Sequence, residues 1–127
     1  MNSIVFGTLS KGEQKQMNIK NGMSEIASFE KDLRRLKVTV QKLSNEDVGW
    51  KLKPYANKFD SSMLTFSIPS TIAIECIDNA LEYGRSQKTF LNERWSERHM
   101  QFVIHKMLEK VASAFDTNDS SDDDNSE

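Results

Sequence analysis

Three aromatic and three basic side chains interleave within ten residues, at Trp50, Lys51, Lys53, Tyr55, Lys58 and Phe59. Single-stranded nucleic acid is held by such a combination, with cations tracking phosphates and rings stacking on bases. The same order also arises without a ligand, when Trp50 and Leu52 of an alternating strand face the core and Lys51 and Lys53 face water. Nothing comparable points to catalysis. His99 and His105 are six residues apart, on different faces of a helix, with no cysteine or further histidine at ligand spacing. Cys76 is the single cysteine, which excludes an internal disulfide or a cysteine-cage metal site, and its apolar neighbours suit a small buried hydrophobe. No nucleophile elbow, phosphate-binding glycine loop or dinucleotide fingerprint is present. The expectation is a non-enzymatic protein with no catalytic residue, no metal and no cofactor.

Charge divides the chain. The 127 residues carry a formal net charge of −2, yet residues 116–127 hold six acids, no base and no apolar side chain. Setting those six aside leaves 17 bases against 13 acids in the rest. Residues 31–58 account for all of that excess, with eight bases (Lys31, Arg34, Arg35, Lys37, Lys42, Lys51, Lys53, Lys58) against Asp32, Glu46 and Asp47. A segment without apolar surface cannot offset the entropy of ordering it, so 116–127 is expected to be a disordered acidic tail. The pair is either a polyanion-binding face with a tail that competes for it, or a solvated surface with a solubilising tail. No apolar run is long enough to span a bilayer. The first residues lack the basic start and long apolar stretch of a secretory signal, so the expected setting is cytoplasmic or otherwise intracellular.

The elements that must position these residues read as follows. Residues 3–9 suit a short strand or an ordered arm, and 11–22, with Gly12, Asn18, Asn21 and Gly22, suit a loop. Ser24 can cap a helix whose apolar series is Ile26, Phe29, Leu33, Leu36, Val40 and Leu43, spaced alternately by three and four. That pattern predicts a helix over 24–35. Residues 36–43 also alternate apolar and polar and are rich in β-branched side chains, so they stay open between helix and strand. Residues 48–53 alternate again before a turn at Pro54, and 63–68 are the cleanest strand. Pro69 can open a helix over 71–83 with Gly84 just past its end, and Ser86 or Thr89 restarts a helix over 87–115.

The order of strand, proline, helix, glycine and capped helix from Leu64 to Leu91 resembles the ribbon-helix-helix family of DNA-binding proteins. The resemblance implies that two chains pair their 63–68 strands into a ribbon that enters the major groove. Met63, Thr65 and Ser67 are then the base-reading positions, with Leu64, Phe66 and Ile68 in the dimer core. It further implies that Ser86, Gln87 and Lys88 hold a phosphate through backbone amides and charge. Without a dimer, the same segment fits a four-strand sheet (3–9, 36–43, 48–53, 63–68) covered by helices.

The expected fold is α+β: a single domain over 1–115 with an N-terminal helix, short strands, a strand at 63–68 and two following helices. The expected function is a small dimeric regulator or accessory factor that binds nucleic acid, DNA ahead of RNA. An alternative is an adaptor or inhibitor that docks on a larger protein partner through its apolar helices.

Overall fold

A computed structural model of the chain describes residues 10–56 and 67–125, with side chains up to Asp116. Among the described residues it contains four helices, α1 (Lys11–Val40), α2 (Asn45–Ala56), α3 (Ser70–Glu93) and α4 (Glu97–Asn125), and no strand. The α+β expectation is therefore corrected to an all-helical arrangement.

Helix α1 begins eleven residues into the chain, within the segment read as a loop. Its start is fixed by a reciprocal cap. Ser10 Oγ accepts from the Glu13 N–H and Glu13 Oε1 accepts from the Ser10 N–H, each at 3.0 Å. From Gly22 onward one face is buried, and the three-four series supplies it: Ile26, Leu33 and Val40 are fully covered and Leu36 nearly so. The helical reading holds through Val40, which closes the question over 36–40 in favour of helix. After a turn, Ser44 Oγ accepts from the Asp47 N–H and α2 begins.

Residues 48–53 are helical, not extended. Val48, Leu52 and Ala56 recur at intervals of four and are buried, while Trp50, which a strand would turn to the same face as Val48 and Leu52, is exposed. A strand here would also need a hydrogen-bonded neighbour, and the flanking segment 36–40 is helix. Pro54 stands in the last turn of α2, near the end of the hydrogen-bond ladder that it interrupts. The strands expected at 3–9 and over most of 63–68 lie outside the described residues. Of the latter, Ser67 and Ile68 precede α3 without regular structure, and Ile68 is buried with its N–H donating to the Asn45 carbonyl at 2.9 Å.

The two C-terminal helices break at a different place from the one expected. α3 runs from Ser70 through Gly84 to Glu93, and the turn falls at 94–96, where Ser96 Oγ accepts from the His99 N–H. Gly84 is a close-approach glycine. A Cβ there would meet Met107 Sδ at 2.9 Å and Glu30 Oε2 at 3.2 Å. Ser86 caps nothing and instead donates to the Tyr83 carbonyl one turn back. The backbone of α4 is helical to Asn125, into the segment expected to be disordered. No helix is long and apolar enough to cross a membrane among the described residues.

Cross-helix pairs give the topology. Glu30 meets Lys88 and Lys37 meets Asp78, so α3 is antiparallel to α1. Gln87 meets His99 and Cys76 meets Ser113, so α4 returns antiparallel along α3. The two reversals leave α1 and α4 running in the same direction, and Trp95, in the turn before α4, packs on Gly22. Helix α2 lies mainly on α4 and closes the same core with Val48 and Leu52.

Candidate functional site

Helix α1 carries seven bases against four acids. Lys31, Arg34, Arg35 and Val38 follow the i, i+3, i+4, i+7 spacing that places side chains on one helix face, and all four are exposed. Lys20 lies on the same face three turns earlier and Lys42 just past the helix end. None of Lys31, Arg34, Arg35 or Lys42 has an acid within ion-pair distance among the described residues. Asp32, one turn from Arg35, makes no ion pair among the described residues, and the other nearby acids are directed elsewhere. Glu30 is taken by Lys88, while Glu46 and Asp47 stand in the first turn of α2 and complement its dipole.

On one flank of this ridge, α1 and α2 enclose an open groove of about 640 Å³. Asp32, Arg35, Leu36 and Thr39 come from α1, Trp50, Lys51 and Tyr55 from α2, and Leu108 reaches in from α4. The groove therefore has apolar walls, two rings, two cations and one carboxylate. Trp50 is 54% exposed, and Lys53 places its ammonium 4.7 Å from the centre of that ring. Tyr55 is fixed by a tilted contact with Phe29, with centroids 6.4 Å apart. Burial, and secondarily the Asp32 carboxylate, raise the Tyr55 hydroxyl above its usual pKa, so it remains a donor throughout the neutral range.

On the other flank, between α1 and α3, lies a cleft of about 620 Å³ that includes Arg34, Lys37, Arg85 and Lys88. Its two lysines are occupied. Lys88 Nζ lies 2.8 Å from Glu30 Oε1, and Lys37 Nζ 2.8 Å from Asp78 Oδ1.

Of the residues singled out by sequence, Trp50, Lys51, Lys53 and Tyr55 fall together on α2, with three of them facing the groove. Lys58, Met63 and Thr65 lie outside the described residues. Ser67 is exposed in the segment before α3. Gln87 and Lys88 do not open a helix as the resemblance implies; they sit inside α3 and face structural partners. Gln87 Oε1 accepts from His99 Nε2 at 2.8 Å, and Lys88 neutralises Glu30. Lys31, Arg34 and Arg35 belong to the basic 31–58 region read from sequence, but their helical spacing on one face was not used to single them out, and Asp32 was not read as a site residue.

His99 and Cys76 are engaged in packing. His99 lies between Phe90 and Phe102, with centroids 5.1 and 6.1 Å away. Cys76 is buried and accepts from Ser113 Oγ at 3.5 Å. No group of three or more histidine, cysteine or acidic side chains able to hold a metal occurs among the described residues. No family model matches the chain, and no curated protein or solved structure does either.

Proposed function

We propose that the chain is a non-enzymatic, intracellular nucleic-acid-binding protein, a small regulator or accessory factor, whose contact surface is the basic face of α1. The observation that carries this reading is the set Lys31, Arg34 and Arg35, exposed on one helix face with no acid partner among the described residues. A helix with such a face can lie along a phosphate backbone and release its condensed counterions. Lys51 extends the positive surface onto α2. A homodimer would double the number of phosphate contacts.

The test is fluorescence anisotropy with labelled duplex and single strand at about 50 and 200 mM salt, a range over which phosphate-driven affinity falls steeply. The wild-type chain is expected to bind more weakly at the higher salt. The variant Lys31→Gln/Arg34→Gln/Arg35→Gln keeps good helix formers at all three positions and should flatten the slope of log affinity against log salt by about three. Unchanged affinity in that variant would remove the face from the contact surface.

A second reading is a docking module for a larger protein. Phe90 and Phe102, 44% and 50% exposed around His99 near the α3–α4 turn, favour it. On that reading neither nucleic acid binds at either salt concentration.

A further inference from the structure

A basic ridge alone does not distinguish a duplex from a single strand, but the groove beside it does. We propose, building on the nucleic-acid reading, that the α1–α2 groove receives an unpaired base of a single strand while Arg35 and Lys51 hold the flanking phosphates. Three features support this occupant.

The first is size and shape. At about 640 Å³ the groove falls in the range of small-molecule sites, of order 300–1,000 Å³, and so has room for one nucleotide unit. Bases in a duplex are stacked and paired, and cannot enter it without being flipped out.

The second is the wall chemistry. Trp50 and Tyr55 present rings, and Leu108 supplies apolar surface from α4. Every base has a π-face, so rings hold it whatever its identity. Tyr55 is already positioned by Phe29, which lowers the ordering cost when a base arrives.

The third is Asp32. A carboxylate inside the groove repels a phosphate, so a bare anion is disfavoured there despite Arg35 and Lys51 nearby. A neutral base carries N–H donors that the carboxylate can accept. The charges thus sort the ligand, with phosphates on the cations and the base beside the acid.

The experiment titrates the full chain with a strand of about 12 nucleotides and with a duplex of the same length, within the usual size of a single-strand site. Two variants alter the groove while leaving every charge in place. Trp50→Ala removes an exposed ring, and Thr39→Met adds non-aromatic bulk at an exposed position on the groove wall. Each is expected to weaken single-strand binding about tenfold while duplex affinity stays within about twofold, because stacking in the first and room for the base in the second are lost and phosphate contacts are not. Single-strand affinity that is unchanged in both variants, or a loss shared equally by single strand and duplex, would overturn the proposal. Wild-type binding that is salt-sensitive but no tighter for the single strand would overturn it too, while leaving the nucleic-acid reading intact. Wild-type binding to neither ligand would end both.

Discussion

Replacing Lys88 with methionine will cost about 2–3 kcal/mol of folding stability and leave nucleic-acid affinity of the folded chain unchanged. Glu30 is 4% exposed, enclosed by α1, α3 and α4, and its carboxylate accepts from Lys88 Nζ at 2.8 Å. Removing the ammonium strands a charge that water barely reaches. Breaking a fully buried pair typically costs about 3–5 kcal/mol; the lower figure reflects solvent access from the Lys88 side, whose side chain is 31% exposed. Urea denaturation should show a lower midpoint at constant slope. The double variant Glu30→Leu/Lys88→Met should recover most of the loss, since replacing both charges with apolar groups removes the desolvation penalty itself. A methionine variant within about 0.5 kcal/mol of wild type would show that the pair holds nothing together. If Lys88 instead gripped a phosphate, stability would stay and affinity would fall.

Gly22→Ala is expected to destabilise by about 2–3 kcal/mol, against the direction that helix propensity alone dictates. In a helix interior alanine is favoured over glycine by about 1 kcal/mol. Here the Trp95 ring lies where the new methyl would go, and the aromatic ring has no flexible end to give way. Either the ring leaves its seat or α1 shifts away from the α3–α4 turn, and overpacking of this kind costs about 1–3 kcal/mol before the lost ring burial is added. Thermal unfolding monitored by circular dichroism measures it. A midpoint at or above that of wild type would mean that Trp95 is not seated on Gly22 in solution.

These two glycine and lysine positions show where local sequence signals run out. The three-four series at Ile26, Leu33, Leu36 and Val40 was legible because helical spacing and burial agree. Residues 11–22 were not, because Gly12, Gly22 and two asparagines argue for a loop; the Ser10–Glu13 cap and the seat for Trp95 outweigh them. Gly84 looks like a helix end from its neighbours alone, whereas its reason is Met107, twenty-three residues later in the chain. At 48–53 two periodicities coincide, and it is Trp50 that separates them: an alternating strand would bury it with Val48 and Leu52, whereas it is exposed. The groove was half legible. Trp50, Lys51 and Tyr55 announce themselves by type, but Asp32 and Arg35 join them only through the packing of α2 against α1. Gln87 and Lys88 came from a resemblance, and their side chains have other partners.

The reach of α1 beyond its own support sets an order of melting. None of the residues 11–21 is buried, so the first three turns rest on one capping box and on the rest of the helix. At the other extreme, α3 and α4 make the most extensive contact among the described helices and are adjacent in sequence, so their pairing closes only a short loop. Amide hydrogens of 11–21 should therefore exchange with solvent first. Those around Ile77, Ala80, Val103 and Met107, all fully covered, should exchange last and together. The α3–α4 hairpin is then the platform on which the chain assembles, and α1 arrives as a later, partly free lever whose basic side faces outward throughout.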